Sequence, residues 1–126
     1  MHLPYDTQPA IRVFAMPADT NARGDMFGGW LMSQVDVAGS VAAFKKAHGR
    51  IVTVAVNDFR FLKPVFVGDL VSIYSEVTKV GTTSIQVFIQ AFSERLIDNI
   101  EVILVAEATL TYVAIDDERR PRPVNK

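Results

Sequence analysis

The sequence predicts an α+β domain in which an antiparallel five-stranded sheet wraps around one long central helix. Two observations favour this class. The 20 residues Gly28–Ala47 are apolar around almost the whole circumference of a helix, which is typical of a helix enclosed by other structure. Residues 50–115 instead alternate with a period of two, and turn residues interrupt them at short intervals. Because only the helix is long enough to cover the apolar face of such a sheet, we expect the sheet to curl around it.

The composition limits the classes of function. At 126 residues the chain, residues 1–126, is predicted to be a single domain. A formal net charge of −1 gives no excess of positive charge for nucleic acid. With no cysteine and only two distant histidines, His2 and His48, neither thiolate chemistry nor a metal site is predicted. The first ten residues lack the apolar core of a signal, and polar residues interrupt the long apolar run, so we expect a cytoplasmic protein without a membrane span.

The first half of the chain predicts a strand, a loop and the helix. A short apolar run, Ile11–Met16, is predicted to be a strand because Pro17 ends it. Residues 19–27 are rich in turn formers and lead into the helix Gly28–Ala47. Basic side chains in the last turn complement the helix dipole, and Gly49 is predicted to be the cap.

The second half predicts four strands joined by short turns. They are expected over Arg50–Phe61, Leu70–Lys79, Thr83–Phe92 and Ile100–Ile115. The two ends, Met1–Pro9 and Asp116–Lys126, are predicted to be surface tails. Exposed edges of a sheet pair readily with another chain, so we expect at least a homodimer.

An acid inside the apolar helix is the sharpest chemical signal in the sequence. Asp36 is a poor helix former, and an Asp is rarely buried without a partner. Helical spacing places the small residues Gly39 and Ser40 beside it, where they could leave space for a substrate. The alternative is a carboxylate paired across a subunit or domain contact, since structural ion pairs also perturb acids.

The motifs around this acid match a known family in order along the chain. Over residues 11–116 the sequence resembles the YciA-type acyl-CoA thioesterases, which have the hotdog fold. The segments that carry the resemblance are MPADTN (16–21), GDMFGGWLMSQVD (24–36), AHGRIVTVAV (47–56), PVFVGD (64–69), KVGTTS (79–84) and YVAID (112–116).

The resemblance implies a function and an assembly. It implies hydrolysis of acyl-CoA to a fatty acid and free CoA, with CoA as part of the substrate and no separate cofactor. It implies an active site shared between two subunits of a homodimer, and it favours a hexamer built as a trimer of dimers. The catalytic acid of the family falls on Asp36, and its polar partner falls on Asn21 of the facing subunit. The pair Gly28–Gly29 falls where the thioester meets the start of the helix.

Elementary chemistry explains why these residue types would serve. Backbone N–H groups at a helix N-terminus lack partners and carry partial positive charge, so Gly29 could polarise the thioester carbonyl. Asp36 would act as a general base on water or as a nucleophile through a mixed anhydride. Asn21 would orient the water or bind the developing charge. The structural alternatives are a plain turn residue for Asn21 and close helix–sheet packing for the glycine pair.

CoA is a polyanion, so cationic and hydrogen-bonding groups are expected at the mouth of the site. Phe27 and Trp30 are predicted to be core residues or walls of the acyl pocket, and Arg119 and Arg120 to be solvated surface residues. The residues predicted to bind substrate or CoA are Phe27, Gly28, Arg50, Lys79, Gly81, Thr82, Thr83 and Ser84.

Two other functions fit the same fold. A hydratase of this fold needs an Asp–His or Glu–His pair, and neither His2 nor His48 is close to Asp36 in the sequence. A non-catalytic module that binds CoA or a nucleotide would use the same pocket without turnover. Release of free thiol from acyl-CoA separates the thioesterase from both.

Overall fold

A computed structural model describes residues 1–4 and 6–124 of the chain. A short 3₁₀ turn, Pro17–Asp19, precedes one long helix, α1, which spans Gly28–Ala47. The described residues also form five strands: β1 Ile11–Phe14, β2 Ile51–Phe61, β3 Leu70–Val80, β4 Ser84–Leu96 and β5 Ile100–Ala114.

The five strands form one antiparallel sheet in the order β1-β3-β4-β5-β2. Register shifts interrupt three of the four strand pairs, and such bulges bend and twist a sheet. The bent sheet wraps around α1, which contacts every strand. This is the hotdog fold, so the predicted fold class is confirmed.

The core lies between α1 and the concave face of the sheet. Buried residues of α1 recur with the helical period, because only one side of the helix faces the strands. They are Leu31, Val35, Ala38, Gly39, Ala43 and Ala47. Opposite them the strands present large side chains without exposed surface, and each buried aliphatic side chain stabilises the fold by about 1.5–3 kcal/mol. These include Ile73, Ile85, Ile89 and Val87.

The opposite side of α1 is apolar but exposed. Val37 is 52% exposed and Phe44 is 57% exposed. The prediction of a helix enclosed on all sides is therefore wrong for a single protomer, which covers one side only. Among the described residues, no helix has the length and apolarity that crossing a membrane requires.

Each strand differs from its predicted bounds by at least one residue, and two boundaries differ by two residues or more. Strand β1 ends at Phe14 instead of Met16, because the chain leaves the sheet to enter the 3₁₀ turn at Pro17. Strand β4 continues to Leu96, four residues beyond the predicted end at Phe92, because a register shift at that point preserves its pairing with β5.

The end of α1 is built differently from the prediction. His48, not Gly49, takes the left-handed conformation, with φ 53°. Gly49 has another role, because a Cβ there would lie 2.8 Å from Nη2 of Arg122. That guanidinium donates a hydrogen bond to the last helical carbonyl, Ala47 O, at 2.8 Å. Gly49 therefore leaves space for Arg122, and the predicted glycine cap is wrong.

The segment after β5 folds back onto the domain. Its Val124 is 4% exposed and donates its N–H to Thr82 O at 2.9 Å. The prediction of a surface tail is therefore wrong for Val124, whereas residues 117–121 are exposed as predicted. The other residues of the predicted tails include Tyr5, Asn125 and Lys126, which lie outside the described residues.

Candidate active site

The Asp36 carboxylate lies in the middle of α1 and is half-buried. Thr53 on β2 donates its hydroxyl to Oδ1 of Asp36 at 2.8 Å, and the Tyr112 hydroxyl on β5 lies 3.1 Å from the same oxygen. Among the described residues, no donor contacts Oδ2. One carboxylate oxygen is therefore held in place, and the other is left to act on a ligand.

Tyr112 is the buried support of this carboxylate. Its hydroxyl also lies 2.9 Å from the backbone carbonyl of Asp36. Burial raises the pKa of Tyr112 well above its ordinary value, and the nearby Asp36 charge adds to the shift. The phenol therefore keeps its proton and remains a hydrogen-bond donor throughout the neutral range.

Gly39 and Ser40 were predicted to leave space for a substrate beside Asp36, and the structure separates their roles. A Cβ on Gly39 would collide with the Tyr112 hydroxyl and would lie 2.8 Å from Cδ1 of Ile89. Gly39 therefore makes room for Tyr112 and not for a substrate, and that prediction is wrong. Ser40, the other small neighbour, does line an open cavity.

Sequence reasoning did not find Thr53 or Tyr112 as partners of the acid. The two residues are directly opposite each other in the β2–β5 register, so both side chains reach the same face of the sheet. The available signal for these partners was a residue with a hydroxyl group on the helix-facing side of each strand. The sequence did not indicate that the first and last long strands pair with each other.

Asn21 organises the loop before the helix. Its carboxamide oxygen accepts the N–H groups of Arg23 at 2.9 Å and Asp25 at 3.2 Å. The alternative of a turn residue therefore holds within the protomer. Since the loop uses the oxygen, the NH₂ group is the part of this side chain that remains to donate to a ligand.

The start of α1 presents unpaired backbone donors. Among the described residues, nothing accepts a hydrogen bond from the N–H of Gly28 or Gly29. A Cβ on Gly28 would lie 3.3 Å from Cζ of Phe61, whereas a Cβ on Gly29 would meet nothing within 4 Å. The packing alternative therefore accounts for Gly28 but not for Gly29, whose N–H is open to an approaching group.

A cavity of about 280 Å³ lies beside this helix start and is lined by Asn21, Phe27 and Gly28 among others. Phe27 is 54% exposed and is not a core residue, whereas Trp30 packs partly buried against the core. Asp36 does not line this cavity. It lies seven residues beyond Gly29, or about 10 Å along the helix axis.

The remaining predicted binding residues lie at the other end of α1. Arg50 lines a cavity of about 640 Å³. The turn between β3 and β4 is near Arg50, because both contact the chain at the end of β5. Arg50 O accepts the Ile115 N–H at 3.1 Å, and Thr83 O accepts the Ala114 N–H at 2.9 Å. That turn does not line the 640 Å³ cavity, and neither does Lys79, which is exposed. The turn comprises Gly81, Thr82, Thr83 and Ser84.

A buried ion pair fixes the segment that holds the loop. Asp69 is 2% exposed and accepts two hydrogen bonds from Arg95, at 2.8 and 3.0 Å. Those bonds to Asp69 raise the pKa of Arg95. Asp69 also accepts the Phe66 N–H, and Phe66 forms a bridge with Asp25 in the loop of Asn21. Sequence analysis did not predict this ion pair.

Acids and histidines do not gather elsewhere in a way that suggests a metal. Within residues 1–4 and 6–124, no group of three or more His, Cys, Asp or Glu side chains is placed to hold an ion.

Comparison with known proteins gives consistent matches. A family model described as the thioesterase superfamily matches residues 23–97. The acyl-CoA thioester hydrolase YciA of Salmonella typhimurium is 47% identical over 116 residues, which cover 90% of this chain and 87% of that protein.

Two solved structures extend the likeness to the fold. One is a hexameric broad-specificity acyl-coenzyme A thioesterase with an aspartate replaced by alanine; it has a TM-score of 0.90 and 42% identity, covering 94% of this chain and 86% of that one. The other is an acyl-CoA hydrolase from Staphylococcus aureus in complex with butyryl coenzyme A, coenzyme A and coenzyme A disulfide. It has a TM-score of 0.82 and 34% identity, covering 90% of this chain and 68% of that one.

The hotdog fold and these matches define a class. The chain belongs to the thioesterase superfamily. Its similarity to YciA confirms the resemblance that the sequence motifs indicated.

Proposed function

We propose that the chain hydrolyses acyl-CoA thioesters to a free acid and CoA. The observation that carries this proposal is the Asp36 carboxylate, which is held through Oδ1 by two hydroxyls and leaves Oδ2 without a donor among the described residues. Relatives named as acyl-CoA thioester hydrolases and an acyl-CoA hydrolase with CoA bound support the same activity. The chain is thus an acyl-CoA thioester hydrolase of the hotdog type.

The site is formed by two copies of the chain. Gly29 and Asp36 are separated by about 10 Å along one rigid helix, which is too far for both to reach one carbonyl group. A second copy supplies Gly29 and Asn21 to the Asp36 of the first. The free edge of β2 supports this arrangement, because an eleven-residue edge strand with exposed valines favours pairing with an identical strand. These valines are Val52, Val54 and Val56.

The larger assembly follows the relatives. A similar acyl-coenzyme A thioesterase is a hexamer, and we propose a trimer of such dimers here. The exposed apolar side of α1, including Val37, provides further surface that another copy would cover.

The chemistry needs a base and an oxyanion site. Oδ2 of Asp36 takes a proton from water while the water oxygen attacks the thioester carbon. The carbonyl electrons move to oxygen, where the Gly29 N–H of the second copy stabilises the negative charge; one such donor is worth about 10²–10³ in rate. The C–S bond then breaks, and the departing CoA thiolate receives the proton from Asp36. Thr53 and Tyr112 keep the carboxylate oriented, and the Asn21 NH₂ group directs the water.

Several other assignments remain predictions. They are the CoA contacts of Phe27, Gly28, Lys79 and the 81–84 turn, the absence of a separate cofactor, and the cytoplasmic location. A nucleophilic role for Asp36 would use the same oxygen, Oδ2, and would pass through a mixed anhydride.

Release of free thiol tests the function directly. The purified chain is expected to liberate CoA from a panel of acyl-CoA substrates, from acetyl to long-chain, when the thiol is followed with a colorimetric reagent. A hydratase would instead consume the double bond of an enoyl-CoA without thiol release. It is also disfavoured because His48 lies twelve residues, or about 18 Å, beyond Asp36. Binding of CoA without turnover on any substrate would leave only a binding module.

A further inference from the structure

Two arginines that have no ion-pair partner among the described residues line the larger cavity. The cavity of about 640 Å³ lies along the C-terminal half of α1, the start of β2 and the segment after β5. Arg50 and Arg119 are its charged lining residues, and no acid of the described part of the chain lines it. The other lining residues are Ser40, Val41, Phe44, Ile51, Val52 and Ile115.

Neither guanidinium forms an ion pair within the described part of the chain, although Arg50 also borders a second cavity with Asp116 and Asp117. Among residues 1–4 and 6–124, no carboxylate lies within ion-pair distance of Arg50 or Arg119. The next residue, Arg120, behaves differently, because it pairs with Asp116 at 3.5 Å and with Glu118 at 2.9 Å. Two cations that line one cavity repel each other, and both attract an anion that binds between them. The cavity therefore favours an anionic ligand.

The backbone holds Arg119 at this rim at a cost in strain. Arg119 has φ 64°, in the left-handed region that a non-glycine residue adopts with a penalty of about 1 kcal/mol or more. The turn is built by Asp116, whose carboxylate accepts the N–H groups of Glu118 and Arg120, each at 2.9 Å. The N–H of Arg119 itself donates to Asp116 O at 3.0 Å. A glycine would adopt this φ without strain, yet the chain has an arginine at this position.

We propose that Arg119 and Arg50 together bind a phosphate group of the CoA part of the substrate, an inference that rests on the proposed function. Two guanidinium groups match a doubly charged phosphate, whose oxygens suit their forked donors. Both side chains are exposed. This suits the phosphate-bearing part of CoA, which extends from the site toward solvent. Phe44, in the wall of the cavity, lies eight residues beyond Asp36, or about 12 Å along the helix. An arm between thioester and phosphate therefore runs past Ser40 and Phe44.

Replacing Arg119 by glycine separates binding from folding. Arg119→Gly is expected to raise KM for an acyl-CoA about 10- to 100-fold with little change in kcat, since a charge-assisted contact to phosphate is lost. The melting temperature is expected to stay level or rise, because glycine relieves the positive φ. Arg120→Gln is the matched control, and it should leave KM unchanged because Arg120 pairs with acids outside the cavity.

Truncated substrates identify the anion. The rise in KM should be absent when the same acyl group is carried by N-acetylcysteamine, which has no phosphate. An unchanged KM for acyl-CoA in Arg119→Gly overturns the proposal. It is equally overturned if Arg119→Gly raises KM for succinyl- but not for butyryl-N-acetylcysteamine, since Arg119 would then bind an acyl carboxylate.

A binding measurement keeps this test independent of turnover. If the wild-type chain hydrolyses no thioester, the proposed function fails, but calorimetric titration with CoA and with pantetheine still decides the phosphate site. Tighter binding of CoA than of pantetheine, lost in Arg119→Gly, supports the site. Equal binding of CoA by both proteins contradicts it.

Discussion

Replacing Asp36 by asparagine is expected to lower kcat for acyl-CoA hydrolysis about 10²- to 10⁴-fold, the contribution typical of a general base. Asparagine keeps an oxygen that can accept from Thr53 and Tyr112, so the local geometry is preserved. What is lost is the oxygen that takes the proton. The expected signature is therefore a fall in kcat with the same fold and the same assembly.

Initial rates of thiol release at saturating substrate measure this effect, and size-exclusion chromatography checks the assembly. Ser33→Ala is a suitable control, because Ser33 is an exposed residue of the same helix whose hydroxyl bonds only to Trp30 O among the described residues. A kcat for Asp36→Asn close to that of the control would remove the acid from the mechanism.

Replacing Asp69 by asparagine is expected to destabilise the chain by about 3 kcal/mol, the lower part of the range for breaking a buried ion pair. Arg95 would keep its charge but lose its carboxylate, and the new NH₂ group would face guanidinium donors or the Phe66 N–H. Because Arg95 is 19% exposed, part of the loss is recovered through solvent. The expected fall in melting temperature is about 10 °C.

The matched control is Asp58→Asn, which breaks the ion pair with Arg60 at 3.2 Å. Those side chains are 53% and 67% exposed. An exposed pair contributes about 1 kcal/mol or less, so the control should barely shift the transition. Thermal unfolding of both variants should be compared at one protein concentration, since oligomers unfold in a concentration-dependent way. Equal shifts in the two variants would show that the Asp69–Arg95 pair is not a structural clamp.

Local patterns were sufficient to predict the helix and most of the sheet. The helix bounds, Gly28 and Ala47, coincide with the prediction, because a glycine pair begins the apolar run and basic residues end it. The period-two pattern also placed the starts of β3 and β5 at Leu70 and Ile100. These signals are local, so a single sequence contains them.

Features that depend on distant pairing were not predictable from the sequence. Thr53 and Tyr112 meet because the first and last long strands are neighbours in the sheet, 59 positions apart in the chain. The role of Gly39 depends on that same pairing, since it leaves room for the Tyr112 hydroxyl. Arg119 is exposed, as predicted, but nothing local indicates that the segment after β5 returns to the cavity beside Arg50.

Mixing two inactive variants tests most directly whether one copy supplies Asp36 and another supplies Asn21. Asp36→Asn and Asn21→Ala are co-expressed with different tags, and mixed assemblies are isolated and verified by mass spectrometry. If the site is shared across a two-fold interface, each mixed dimer regains one of its two sites. A randomly mixed population then recovers about a quarter of the wild-type rate, and isolated mixed dimers recover about half. Mixed dimers as inactive as either parent would contradict the shared site, because both residues would then have to come from the same chain.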